Sequence, residues 1–280
     1  MRVWLPCLLL LCACRPNPFA PVSHLEGLRI VAVRAQPPEV APGDSVTLDA
    51  LAVNTDDAAD GGGIEIDWNA CTLPSLPGST SIPPQCFQSA SGKYLVPLGQ
   101  GLEVTGQVPP IDLSKLGLAD SSGGIYLPIR ARAKSPTDEV DAAYHLRVSH
   151  AGAAANRNPK LTDLLLVAAG GSTTALHEDT PVTVHAGDRL TLRASFSKDS
   201  AEIYSLPPPH QTEKVTEILR VSWFATAGSF SHPATGESKP DTDWRADQYL
   251  PARGTRIEIF AVARDERGGT DFARRVLVLR

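Results

Sequence analysis

The sequence predicts an all-β protein built from two tandem antiparallel β-sandwich domains. Short segments with alternating apolar residues recur along its 280 residues, separated by turns that use many of its 22 glycines and 24 prolines. This alternation is typical of half-buried strands, and apolar residues spaced for an amphipathic helix are scarce. One succession of strands and turns occurs twice, which predicts two copies of a single sandwich plan.

The N-terminal segment has the three parts of an export signal. Arg2 gives a positive start, residues 3–11 are apolar, and small residues follow up to Cys14. The apolar run is about ten residues long, against the ~20 that a membrane-spanning helix needs, and Pro6 interrupts it. Residues 1–13 are therefore predicted to be a signal peptide. The alternative is an ordinary signal peptide that is cut at another position.

The sequence Leu11-Cys12-Ala13-Cys14 resembles the lipobox of bacterial lipoproteins. In that family the last Cys is acylated, with palmitate among its acyl chains, and becomes the first residue of the mature protein. The resemblance implies that Cys14 is a membrane anchor. Arg15 is not the Asp that retains enteric lipoproteins in the inner membrane, which implies the outer membrane, on its periplasmic or surface face. Residues 14–24 are predicted to be the lipidated Cys and a Pro-rich extended tether.

The number of cysteines agrees with lipidation. The signal removes two cysteines and lipid takes Cys14, so Cys71 and Cys86 remain as a pair. An even remainder in an exported protein predicts a disulfide. The pair lacks Cys-x-x-Cys redox spacing, and no histidine lies nearby in sequence to suggest zinc. We expect it to staple a proline-rich surface loop.

The charge of the chain excludes one class of function. The formal net charge is −5, and removal of the signal peptide takes away one further positive charge. An acidic chain has no electrostatic reason to bind nucleic acid. It also gains little attraction to anionic lipid, so the acyl chains must provide the anchoring.

Residues 25–150 are predicted to form the first domain. Alternating residues in 45–53 and in 64–68 indicate strands, and the second of these carries Trp68 on its apolar face. Residues 125–134 and 143–148 are predicted to close the domain as a hairpin, and residues 111–116 suggest one helical turn. Residues 151–160 lack a strand pattern and are predicted to be the linker.

Residues 161–280 are predicted to form the second domain, because they repeat the plan of the first. Ala186 to Leu192 matches Pro42 to Leu48 in spacing and character. Val221-Ser222-Trp223 corresponds to Ile66-Asp67-Trp68, with the Trp again on the apolar face of a strand. Ile257 to Ala263 corresponds to Leu127 to Ala133, and Arg275 to Leu279 is predicted to be the last strand.

These segments resemble the Ig-like and PKD-like β-sandwich modules of bacterial surface proteins. The residues that carry the resemblance are Gly187-Asp188-x-Leu190-Thr191-Leu192, Val221 to Gly228, Trp244, and Val262 to Gly269. They imply a core strand after a turn, a central Trp strand and a closing hairpin. Lys134 to Val140 lacks the Arg-Asp-x-x-Gly-Gly form in the first copy. The predicted disulfide follows the Trp strand and does not match the inter-sheet bridge of antibody domains.

The sequence contains no recognisable catalytic constellation. It has no Gly-x-Ser-x-Gly elbow, no His-Glu-x-x-His and no phosphate-binding Gly-rich loop. His177 stands beside two carboxylates but precedes Pro181 in a predicted loop, and His210 and His232 are loop residues flanked by prolines. We therefore expect a protein that is not an enzyme and has no cofactor, and we identify no small-molecule substrate.

Calcium is the best alternative site. Asp56, Asp57 and Asp60 cluster in one loop, and Asp265, Glu266 and Asp271 flank another. Oxygen ligands from loops suit Ca²⁺, although neither cluster has the spacing of a known calcium loop. The alternative is that these residues serve the tight turns in which they lie.

The irregular stretch from Asp199 to Lys214 is the other feature of interest, since long loops on a rigid sandwich often carry binding residues. It is otherwise a stiff, passive proline loop. The sequence thus predicts a non-enzymatic envelope lipoprotein whose two domains act as spacer and as an adhesion-like module for an envelope protein or glycan. The alternative is an accessory subunit of an envelope secretion or transport complex.

Overall fold

The fold was analysed in a computed structural model that describes residues 20–56, 63–73, 75, 82–88, 92–112, 124–149, 156–205 and 213–280. Almost every regular element in these ranges is a β-strand, which confirms the predicted fold class. Cys14, Asp57, Asp60, His210 and most of the predicted helical turn at residues 111–116 lie outside the described residues.

The first sandwich consists of a three-stranded and a five-stranded sheet. The smaller sheet has the order β1-β3-β6 and the larger has the order β2-β8-β7-β4-β5. The elements are β1 (Leu28–Gln36), β2 (Glu39–Val40), β3 (Ser45–Asn54), β4 (Glu65–Cys71), α1 (Gln85–Gln88), β5 (Leu95–Gln100), β6 (Glu103–Gln107), β7 (Ile125–Lys134) and β8 (Glu139–Val148). Trp68 is buried between the sheets, as predicted, and its indole N–H donates to the carbonyl of Gly101 at 2.8 Å.

The second sandwich repeats this arrangement with five strands in each sheet. Its sheets have the orders β10-β9-β12-β18-β16 and β11-β20-β19-β15-β17, and β13 pairs with β14 as a separate ribbon. The strands are β9 (Leu161–Val167), β10 (Thr173–Leu176), β11 (Val182–Val184), β12 (Arg189–Phe196), β13 (Ile203–Ser205), β14 (Lys214–Thr216), β15 (Arg220–Ala225), β16 (Ser229–Phe230), β17 (Ala234–Gly236), β18 (Asp241–Arg245), β19 (Arg256–Arg264) and β20 (Thr270–Leu279). Trp223 and Trp244 are buried in its core.

Both sandwiches have the strand order of an Ig-like domain. In Ig lettering, one sheet contains strands A, B and E, and the other contains A′, G, F, C and C′. The A′ strands, β2 and β11, pair in parallel with β8 and β20, which the antiparallel prediction missed. Prolines account for this switch of sheet: Pro37 and Pro38 end β1 and Pro181 precedes β11, and a residue without an N–H interrupts the ladder of the first sheet.

The repeated turn before the B strand has the same geometry in both copies. The backbone N–H of Asp44 donates to the carbonyl of Ala41 at 3.1 Å, and that of Asp188 donates to the carbonyl of His185 at 3.0 Å. Gly43 and Gly187 have φ values of 85° and 90°, a left-handed conformation that favours glycine. The internal match found in the sequence is therefore confirmed at the level of a single turn.

The two sandwiches pack side by side. Outward-facing residues of β1 and β3, including Val31 and Val53, form a third apolar cluster with Phe224 and Phe260 on the outer face of β15 and β19. At one end of this interface, Leu25 donates its backbone N–H to Ala225 at 2.9 Å. At the other end, the guanidinium of Arg34 lies 2.7 Å from Asp271 and over the ring of Phe272.

The end of the predicted tether takes part in this interface. Ser23 and His24 are buried, and the backbone N–H of Ala225 donates to the carbonyl of Ser23 at 2.9 Å. The His24 ring stacks on Tyr249, with 4.0 Å between ring centroids. Residues 23 and 24 therefore extend the sheet of the second domain.

Candidate binding site at the inserted ribbon

The insertion predicted between Asp199 and Lys214 contains regular structure at its base. Tyr204 pairs with Val215 in an antiparallel ladder between β13 and β14, and the backbone N–H of Glu217 continues it by donating to Glu202 at 2.9 Å. The prediction of a wholly irregular loop is wrong here, because the segment 202–205 finds a partner strand at residues 214–216, where the insertion ends. The proline run at 207–209 lies outside the described residues.

The ribbon has two faces with different chemistry. Side chains directly opposite each other in a ladder share a face, so Ile203 and Thr216 lie on one side and Tyr204 and Val215 on the other. By the same alternation the side chain of Ile218 lies on the same face as that of Thr216. Ile203 is 67% exposed and Ile218 is 44% exposed. Two large apolar side chains are thus presented to solvent on one face of the ribbon, which makes this face a candidate interaction surface.

A cavity of about 340 Å³ opens between the sheets beside this face. Its wall comes from β12, β15 and β17 of the sandwich and from the base of the ribbon. The lining residues are Ala194, Phe196, Ala201, Thr216, Glu217, Leu219, Val221, Thr235, Gly236, Glu237 and Pro240. The volume and the mainly apolar wall are those of a ligand-sized site. The cavity and the face that carries Ile203 and Ile218 are together called the ribbon site.

The charged side chains that line the cavity are acidic. Glu217 and Glu237 line the cavity, and no lysine or arginine in the described part of the chain does. The Glu217 side chain is fully buried, and this burial raises the pKa of its carboxyl. The hydroxyl of Thr235 accepts a hydrogen bond from the indole of Trp223 at 2.9 Å, which fixes that wall to the core.

The opposite face of the ribbon is held by one arginine. Arg267, in the turn between β19 and β20, lies 3.3 Å from Glu217 and 3.8 Å from Glu202. Its guanidinium also lies 5.0 Å from the centre of the Tyr204 ring and 3.6 Å from Glu39 of the first domain. Arg267, Glu39, Glu202 and Glu217 are called the Arg267 cluster. This cluster joins the ribbon, the second sandwich and the first domain.

Further contacts fix the turn that carries Arg267. The hydroxyl of Tyr144, in the first domain, donates to the carbonyl of Gly268 at 3.0 Å. Burial raises the pKa of this hydroxyl, so it stays a neutral donor. Asn156 donates to Asp265 at 3.3 Å, and Asn158 donates to Ala35 at 2.8 Å. The position of the ribbon site is thus set by both domains.

The acidic residues predicted as calcium ligands have other partners where they are described. Asp265 accepts backbone N–H groups from Arg267 and Gly269, both at 2.8 Å, and so caps its own turn. Asp271 pairs with Arg34 and accepts the N–H of Leu161 at 2.8 Å. In the described ranges, Asp56 included, no group of three His, Cys, Asp or Glu side chains is arranged to hold a metal ion. Asp57 and Asp60 lie outside those ranges.

The Cys71–Cys86 disulfide is present, with the Cα atoms 5.6 Å apart. Both cysteines are buried, so the bond attaches α1 to the first sandwich. The described histidines at 177 and 232 are exposed turn residues. In the ranges that the structure describes, no helix has the length and apolar character needed to cross a bilayer.

Comparison with known proteins gives structural similarities alone. Neither a protein-family model nor a curated protein sequence matches the chain. The N-terminal Ig1-2 module of the Drosophila receptor protein tyrosine phosphatase DLAR is 10% identical, with 91% of this chain and 100% of that chain covered and a TM-score of 0.27. The D0-D1 domain of intimin is 11% identical, with 89% and 98% covered and a TM-score of 0.23. At such low TM-scores the fold assignment rests on the strand order of this chain.

Glu217 and Arg267 are among the site residues that sequence reasoning missed. Val215, Glu217 and Leu219 alternate toward the protein interior, and a carboxylate in such a row signals a buried charge that needs a partner. The sequence holds no signal for the identity of that partner, because Arg267 lies on a distant hairpin.

Proposed function

We propose that the protein is a non-enzymatic binding protein of the bacterial envelope, anchored through acylated Cys14, which binds a protein partner at the ribbon site. The observation that carries this proposal is the apolar cavity beside Ile203 and Ile218, on a ribbon that both domains hold in place. Binding residues on a rigid scaffold lose little conformational entropy when a partner docks. The lipobox resemblance supports the anchor, and Arg15 after Cys14 supports the outer membrane as its location.

The chemistry of the ribbon site favours a protein over a glycan. A glycan presents hydroxyl groups on almost every carbon, and these need hydrogen-bonding partners when they are buried. The cavity wall is mainly apolar, and its exposed neighbours are isoleucines. Such a surface suits the apolar side chains that anchor protein interfaces.

The side-by-side packing of the two domains is relevant to their predicted role as a spacer. Contacts between the domains run from Leu25, before β1, to Glu39 in β2, and they include the apolar cluster and the Arg267 cluster. Extensive interfaces of this kind restrict relative domain motion. We propose that the first domain acts as a rigid base that orients the ribbon site, and that reach from the membrane comes from the tether. The same site would serve an adhesion-like module or a subunit of an envelope complex, and the partner's identity separates the two.

The ribbon site can be tested with serine substitutions. Ile203→Ser combined with Ile218→Ser should reduce recovery of the partner from cross-linked envelopes at least tenfold, because each exposed isoleucine contributes on the order of 1 kcal/mol when a partner buries it. The matched control is Val96→Ser with Leu102→Ser, which alters apolar residues of the first domain that are 36% and 48% exposed. Equal losses in the two double variants would contradict the ribbon site.

The anchor can be tested separately. Cys14→Ser should move the protein from the membrane fraction to the soluble fraction, because an acidic chain without acyl groups has little affinity for the bilayer. Immunoblotting of the two fractions measures this. Cys7→Ser, within the apolar run of the signal, is the control and should leave the protein bound. A Cys14→Ser protein that stays with the membrane would refute lipidation at Cys14.

A further inference from the structure

The wall of the ribbon site indicates the kind of side chains that the partner brings. Glu217 already has partners, because it faces Arg267 and one of its oxygens accepts the backbone N–H of Glu202 at 3.0 Å. Glu237 is exposed in the turn after β17, and its carboxylate has neither a hydrogen bond nor an ion pair with any described residue. The cavity therefore offers one unpaired negative charge at its rim.

We infer that the ribbon site binds an apolar side chain that adjoins a lysine or arginine on the partner protein. The apolar group fills the cavity between β12 and β17, and the cation faces the Glu237 carboxylate. This inference rests on the proposed function and adds the chemistry of recognition. A partner segment with an acidic neighbour is disfavoured, because the lining has carboxylates and no basic residue to receive it.

Simple amphiphiles reproduce this chemistry. We would titrate n-octylamine, n-octanol and octanoate into the non-acylated Cys14→Ser protein at pH 7 and follow tryptophan fluorescence and NMR shifts. Octylamine should bind about tenfold more tightly than octanoate, since attraction at the rim replaces repulsion. Each methylene added between hexylamine and octylamine should tighten binding about fourfold. Octanoate binding as tightly as octylamine, or no binding by either, would overturn the inference.

Substitutions test separately the two parts of the site, the Glu237 carboxylate and the apolar cavity. Glu237→Gln should remove the preference for octylamine over octanol and leave octanol binding unchanged. Glu178→Gln, at an exposed turn that does not line the cavity, is the matched control and should keep the preference. Ala201→Leu fills the cavity and should weaken all three probes at least tenfold without lowering the melting temperature. Retained octylamine binding in a folded Ala201→Leu protein would place the amphiphile elsewhere and refute the site.

The two proposals fail in different ways. A preference for octanoate would refute the inference that a cationic side chain of the partner faces Glu237. Binding of the partner could still depend on Ile203 and Ile218. Conversely, the amphiphiles could bind as expected while the Ile203→Ser/Ile218→Ser protein still recovers the partner in full. That combination of results would refute the proposed function. The inferred preference of the cavity for a cationic amphiphile would then hold without the proposed function.

Discussion

Trp223→Ala is expected to destabilise the second domain by about 3–5 kcal/mol, the usual range for removing a buried Trp. Its indole is fully buried between the sheets, and its N–H donates to Thr235, which is itself buried. The substitution leaves a cavity and also removes a hydrogen bond. Since domains are stable by about 5–15 kcal/mol, this change takes away a large share of the stability. Urea unfolding followed by circular dichroism measures the loss.

Two variants control for this effect. Trp223→Phe keeps most of the volume and loses the N–H donor, so it should cost much less than the alanine substitution. Trp68→Ala makes the equivalent change in the first sandwich and should destabilise that domain by a similar amount. An unchanged melting temperature for Trp223→Ala would show that Trp223 is not part of the core and would contradict the strand register of β15.

Arg267→Ala is expected to destabilise the protein by about 3–5 kcal/mol at pH 7, because it leaves a buried carboxylate without its partner. The Arg267 side chain is the cation that approaches the fully buried Glu217, and it also contacts Glu39 of the first domain. Loss of both contacts should loosen the ribbon and the domain interface together. Denaturant unfolding, with hydrogen exchange of β13 and β14, would detect both effects.

The loss in Arg267→Ala should depend on pH. Burial already raises the pKa of Glu217 above its ordinary value of 4.5, and removal of Arg267 takes away a group that lowers it. A raised carboxyl pKa means that the folded protein binds the proton more tightly than the unfolded chain does. The destabilisation should therefore be complete above the folded-state pKa and should shrink as the pH falls from that value toward 4.5. A loss that grows on acidification would contradict the burial of Glu217.

Charge and geometry can be separated with control substitutions. Arg267→Ala combined with Glu217→Gln should be more stable at pH 7 than Arg267→Ala alone, because no buried charge remains unpaired. Arg189→Ala breaks an ion pair between the exposed Arg189 and the half-buried Asp243, and it should cost about 1 kcal/mol. If Arg189→Ala were as costly as Arg267→Ala, the special role of the Arg267 cluster would be refuted.

The sequence was sufficient for the plan of each sandwich because its signals are local. Glycine at 43 and 187 is required by a left-handed turn, and the alternation around Trp68 and Trp223 places each indole inside. These features depend on residues within a few positions of one another. The repeat then related three segments of one copy to three of the other, and the resemblance of these segments to Ig-like modules led to the Ig-like assignment.

The domain interface and the ribbon site depend on contacts between distant segments. Ile259-Phe260-Ala261-Val262 is apolar on both faces, which indicates a strand covered on both sides, yet nothing in the sequence identifies β1 and β3 as the cover. Likewise, the cavity arises from the spacing between β12 and β17. Alternation in the sequence predicts which side chains point inward, but it does not predict whether they fill the space between the strands.

The most direct test of the account is the affinity of the partner, once recovered from envelopes, for the purified protein. The ribbon site predicts that the Ile203→Ser/Ile218→Ser protein binds the partner at least tenfold more weakly than the unsubstituted protein, while Val96→Ser/Leu102→Ser binds it equally well. Calorimetric dissociation constants at one salt concentration would measure both ratios. Unchanged affinity in the ribbon variant, with its melting temperature preserved, would contradict the proposed function.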